Sequence, residues 1–163
     1  MESIETLIPD KEGNHLVVVL SFYEDSQKID TFKIPCEFTN LEIADIAIEK
    51  LSLDCPLGIR AFYQMCQWLI EQFMLFPDAV FSFICSTDPL ETNHNKIAPE
   101  QYRWNLFEAF YQRNIDKLNG LGIESRNIVV GPDGYQTFAR VFYRRCHAPV
   151  IHLIIAHLNN KYT

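Results

Sequence analysis

The chain alternates between two hydrophobic periods, and each change of period marks an element. Within His15 to Tyr23, the run Leu16-Val17-Val18-Val19-Leu20 is apolar on both faces and rich in β-branched residues, as in a strand covered on both sides. Glu24-Asp25-Ser26-Gln27 reads as a polar turn. Ile29 to Phe38 then places Phe32, Ile34, Cys36 and Phe38 at alternate positions, which predicts a hairpin. Pro35 lacks an N–H and fits such a strand only at an edge or a bulge. Thr39 to Asp54 supports two readings. Thr39-Asn40-Leu41-Glu42 fits a capping box with Ile43, Ile46 and Ala47 as a helical stripe, whereas Ile46 and Ile48 alternate against Asp45, Ala47 and Glu49. A third strand with a bulge is the favoured one.

Pro56 to Phe76 has the clearest helical period. Arg60, Gln64, Gln67 and Glu71 form one narrow polar stripe, while Phe62, Met65, Cys66, Leu69, Phe73 and Phe76 lie opposite. A helix so apolar must pack against a sheet, and Pro77-Asp78 ends it. Val80 to Cys85 reads as a short central strand, parallel to an earlier one and joined to it by that helix. After a polar loop over residues 86–97, Pro99 and Glu100 suit the start of a second helix. It carries Trp104, Phe107, Phe110 and Tyr111, reaches Leu118 and stops at Asn119-Gly120. Ile128-Val129-Val130, Gly131-Pro132-Asp133-Gly134 and Tyr135 to Arg144 make a hairpin. Pro149 opens a last helix with Ile151, Ile154, Ile155 and Leu158 on one side. The expected fold is α+β in the order β-β-β-α-β-α-β-β-α, one mixed, mostly antiparallel sheet with covering helices.

With 163 residues, 48% apolar and 21% charged, the chain has the size and composition of a single domain over residues 1–163. Its net charge of −7 is uneven: residues 1–100 hold 17 acids against 6 Lys and Arg, and residues 101–163 hold 4 acids against 8. An acidic whole repels a phosphate backbone, which disfavours nucleic acid as a partner. Glu2, Glu5 and Asp10 come before any basic residue, opposite to a secretory leader, and no apolar run is long enough to span a bilayer. Five cysteines with no C-x-x-C spacing indicate reduced thiols rather than disulfides or zinc. A cytoplasmic protein with no membrane partner is therefore expected.

Candidate chemistry is sparse. The loop after a central parallel strand is the usual ligand position of open α/β sheets, and here it offers Ser86 and Asp88. The start of the apolar helix offers Gly58, Ile59 and Arg60, where free backbone N–H groups could hold an anion. Turn formation and helix capping account for the same residues. His152 and His157 project about 140° apart around a helix, so one helix cannot give both to a metal, and no metal site is expected. Trp104, Arg140, Tyr143, Arg144 and Arg145 are the residue types that anchor interfaces, and we expect them to be exposed.

Two resemblances follow. The helix Ile59 to Phe76, the strand end Phe83-Ile84-Cys85-Ser86-Thr87-Asp88 and Arg103-Trp104-Asn105-Leu106-Phe107 resemble an uncharacterised family of small bacterial proteins, which implies a bacterial, cytosolic setting and no mechanism. The element order resembles the GNAT acyltransferase core, which also runs three antiparallel strands, a helix, a strand, a helix and a hairpin. That resemblance implies an acyl-CoA cofactor on a Gly-rich loop, here Leu57-Gly58-Ile59-Arg60-Ala61, and a tyrosine general acid on the next helix, here Tyr111. The loop has one glycine and lacks the upstream Arg or Gln and the second small residue of that pattern. Two functions are thus expected. The first is a non-catalytic binding or accessory module with no cofactor, whose partner is another protein or a second copy. The alternative is a GNAT-like, acyl-CoA-dependent N-acyltransferase.

Overall fold

The computed structural model describes residues 2–9, 15–50, 59–84, 99–133 and 136–161. Six strands form one sheet in the order β1-β2-β3-β4-β6-β5: β1 (Glu2–Pro9), β2 (His15–Phe22), β3 (Glu42–Lys50), β4 (Ala79–Ile84), β5 (Ile123–Val130) and β6 (Thr137–Arg144). All neighbours are antiparallel except β3 and β4, which are parallel. A parallel pair needs a long crossover, and α2 (Ile59–Leu75) lies between the two strands in sequence. The fold is α+β with a mixed, mostly antiparallel sheet, as expected.

Strand alternation gives the sheet two apolar faces. Val18, Leu20, Phe22, Ala44, Ile46, Phe81, Phe83 and Phe142 meet Met65, Leu69 and Phe73 of α2, Phe107 and Phe110 of α3 (Pro99–Arg113) and Leu118 of α4 (Ile115–Gly120). The residues between them, Ile43, Val80, Ala139 and Val141, meet Ile151, Ile154 and Leu158 of α5 (Ile151–Lys161) together with Phe32 and Leu41. The expected polar stripe of α2 is exposed at Arg60, Gln64, Gln67 and Glu71. Met65, Leu69 and Phe73 are buried, each contributing about 1.5–3 kcal/mol by leaving water.

The first hairpin is not the expected one. β2 pairs with Glu2–Pro9, and Ile29 to Phe38 forms no strand. Glu24 to Gln27, read as a turn, instead starts the short helix α1 (Asp25–Asp30), where the Glu24 N–H donates to Gln27 Oε1 at 2.8 Å. Lys33 then adopts a left-handed φ of 59°, and a 3-10 turn covers Cys36–Phe38. Phe32 is buried and Ile34 and Phe38 half-buried, so the alternation is an irregular segment pinned to the sheet. Lys28 Nζ fixes that segment by donating to the Leu41 carbonyl at 2.8 Å. The second helix is also divided, at Asn114, whose side-chain amide donates to the Phe110 carbonyl and competes with helix propagation. The hairpin of β5 and β6 and the strand reading of residues 42–50 hold, with Gly131 at φ 102° where the turn needs it.

Candidate functional site

The pairing between β3 and β4 is short. It runs from Glu42↔Ala79 to Asp45↔Ser82 and ends there among the described residues. Among the described residues, β3 continues to Lys50 paired only with β2, and β4 continues to Ile84 paired only with β6. Two parallel strands that each keep an outer partner but lose one another form a fork. Among the described residues, no strand ladder reaches the peptide groups facing that gap, unlike those elsewhere in the sheet.

The last rung of the fork is polar on the α5 face. Ser82 Oγ donates to Asp45 Oδ1 at 2.8 Å, and the Tyr23 hydroxyl donates to Asp45 Oδ2 at 2.7 Å. Ser82 is buried and Asp45 half-buried. Tyr23 packs edge-on against Phe32, with centroids 4.9 Å apart, and Phe32 lies 4.4 Å from the His157 ring of α5. The other face of the fork is apolar and closed, with Ala44, Ile46, Phe81 and Phe83 buried beneath α2 and α3.

Gly58, Ser86 and Asp88 lie outside the described residues. Ile59 opens α2 and Arg60 follows in its first turn, exposed. Tyr111 is half-buried on α3, its ring 6.4 Å from Phe142, which faces Phe81 one residue before the final rung.

The five expected interface residues do not share one exposed surface. Arg140 is 1% exposed rather than solvated, because its even position on β6 turns it under α3, where it pairs with Glu108. Its guanidinium lies 5.7 Å from the half-buried Trp104 ring and 5.2 Å from Tyr111. Arg144 is half-buried and donates to the carbonyls of Phe73 and Phe76 at the end of α2. Burial lowers its pKa. Tyr143 is half-buried, and burial, then Glu124, raises its pKa. Arg145 alone of the five is exposed, paired with Glu124 at 3.1 Å.

Sequence reading missed Asp45, Ser82 and Tyr23 as a group. The available signal was a polar residue in the middle of each apolar strand: Asp45 between Ala44 and Ile46, and Ser82 between Phe81 and Phe83. Among the described residues no three or more His, Cys, Asp or Glu side chains converge as a metal site. Likewise no helix is long and apolar enough to cross a membrane. No protein-family model matches the chain, and neither does any curated protein.

Proposed function

We propose that the chain binds an acyl-CoA in the fork between β3 and β4 and transfers its acyl group to an amine, as a GNAT-like N-acyltransferase. The observation that carries this reading is that, among the described residues, the pairing of β3 with β4 stops at Asp45↔Ser82 in an otherwise continuous sheet. Bare strand edges need hydrogen-bond partners, and an extended ligand carrying amides supplies them. The same ligand carries phosphates, and the start of the 17-residue helix α2, with Arg60 exposed in its first turn, is electrostatically suited to anions. The strand order, with three antiparallel strands meeting a fourth across the single parallel junction, supports the same resemblance.

Tyr111 is the proposed acid. The neutral acceptor amine attacks the thioester carbonyl, the C–S bond breaks, the departing thiolate takes a proton from the Tyr111 hydroxyl, and the surplus proton on the new amide nitrogen passes through water back to Tyr111. Tyr111 sits on α3 with its ring beside Phe142, which pairs with Phe81 of β4, and it is assigned this role from the family resemblance. Cys36, Cys66 and Cys146 are free thiols, consistent with the cytosolic location included in this reading.

The dispersal of Trp104, Arg140, Tyr143 and Arg144 into packing and capping roles favours this reading over the non-catalytic module. A thermal-shift titration tests it. A ligand that binds only the folded chain raises Tm, so acetyl-CoA at millimolar concentration should stabilise it by about 2 kcal/mol if Kd is roughly 30 µM. No shift at that concentration overturns the proposal.

A further inference from the structure

The sheet ends in two unlike edges. β1 carries Glu2 and Glu5 with no base and closes on Pro9, features that guard an edge against pairing. β5, Ile-Glu-Ser-Arg-Asn-Ile-Val-Val, keeps an unbroken register with β6 along its whole length and has neither proline nor bulge. It is the outermost strand on its side, set off from β4 and the fork by β6. The Arg145 N–H donates to the Gly122 carbonyl at 3.1 Å, which fixes the phase of the β5–β6 ladder. Bonded pairs alternate with unbonded ones, so Glu124, Arg126 and Ile128 turn their peptide groups toward β6, while Ile123, Ser125, Asn127 and Val129 turn theirs outward. Among the described residues no strand pairs with that outer edge. Arg126 and Asn127 are exposed there, and Val129 is 53% exposed.

Side chains decide what such an edge accepts. Glu124 and Arg126 stand two residues apart on one face of β5 with opposite charges. Among the described residues Arg126 forms no ion pair, and the pair of Glu124 with Arg145 lies in solvent. A second β5 laid antiparallel about Ser125 bonds Ser125 to the partner's Ser125 and Ile123 to the partner's Asn127, all of them outward-facing residues. The rungs between are unbonded, where side chains stand closest, and they set Glu124 against the partner's Arg126 and Arg126 against the partner's Glu124. Sliding the strands by two residues in one direction sets Arg126 against the partner's Arg126, and in the other direction Glu124 against the partner's Glu124. Like charges directly opposite are destabilising, so charge selects the register centred on Ser125.

We propose that the chain forms a two-fold dimer through β5, with a second copy of the same chain as the occupant of that edge and the two sheets joined edge to edge. Exposed ion pairs contribute little each, so the backbone ladder supplies the affinity and the two matched rungs supply the register. The dimer is accordingly reversible and weakened by salt. Pairing uses up both β5 edges, and the acidic β1 edges repel one another, so assembly stops at two chains.

The test is sedimentation equilibrium of the full chain over a concentration series, with mass read against the 19.0 kDa of one chain. The mass should rise with concentration to twice that value and fall back as salt is added. Arg126→Glu sets acid against acid, and Glu124→Arg sets base against base, so each should weaken association roughly tenfold or more. Mixing those two variants restores both opposite-charge rungs, and they should form a mixed dimer at concentrations where neither associates alone. Ser125→Pro removes the central outward N–H and should give single chains. Should that variant fail to fold, the mixed charge variants decide the matter without it. A mass of one chain at every concentration up to millimolar overturns the proposal. So do growth beyond two chains, a dimer unmoved by Arg126→Glu, and the absence of a mixed dimer from the two charge variants.

Discussion

Arg140, in the middle of β6, pairs with Glu108 of α3 and stands 1% exposed beneath that helix. A buried guanidinium tolerates its position only while a carboxylate answers it. Removing one partner of such a pair costs more than removing both, because the remaining charge stays desolvated. Glu108→Gln should therefore destabilise the chain by about 2–4 kcal/mol in urea titration, and Arg140→Met with Glu108→Gln by less than the single change. A double variant weaker than Glu108→Gln would contradict the pairing.

Arg144 and its neighbour Arg145 should behave oppositely. Arg144 ties β6 to the end of α2 through the Phe73 and Phe76 carbonyls, whereas Arg145 meets Glu124 in solvent. Arg144→Ala should cost about 1–3 kcal/mol, and Arg145→Ala about 0–1 kcal/mol, in paired denaturant titrations. Equal effects would show that the α2 cap is not formed.

His147 gives stability a pH dependence. It is buried in the 3-10 turn Arg145–Val150, and its Nδ1 has no hydrogen-bond partner among the described residues. Burial lowers its pKa below the ordinary 6.5, and Arg144 lowers it further against an opposing pull from Asp78. The unfolded chain then binds the proton more readily, so this contribution is complete above about pH 6.5 and is lost as pH falls toward the folded value. His147→Asn should flatten the decline in urea midpoint between about pH 6.5 and pH 5. Parallel curves for the two proteins would refute the assignment.

Cys66 lies inside α2 against the sheet, and burial pushes its thiol pKa up to about 11. Cys36 and Cys146 are exposed. Alkylation at pH 8 followed by peptide mapping should label those two within the native chain and Cys66 only on unfolding. Native labelling of Cys66 would mean that α2 does not cover the sheet as described.

The parts of the fold legible in sequence were those with one strong period. The α2 stripe, the apolar strand Val80 to Ile84 and the glycine-bearing hairpin after Val130 each follow from local spacing. β1 escaped notice because Glu2 and Glu5 drew attention to charge, although Ile4, Thr6 and Ile8 share the core face of an edge strand. Residues 29–38 misled for the reverse reason. Phe32, Ile34 and Phe38 alternate because an irregular segment presses three side chains onto the sheet, a pattern set by tertiary packing. The group at the fork was less legible still. Tyr23, Asp45 and Ser82 are separated by 22 and 37 residues, and only strand order brings them together. Arg140 looked solvated because its burial depends on Glu108 from another element.

The fork itself can be read by amide hydrogen exchange across residues 46–50 of β3, with and without acetyl-CoA at millimolar concentration. The account predicts that these amides exchange faster than those of residues 42–45 in the free chain and slow when the cofactor bridges the gap. Exchange in residues 46–50 that is already as slow as in residues 42–45, or that stays unchanged with acetyl-CoA present, would contradict it.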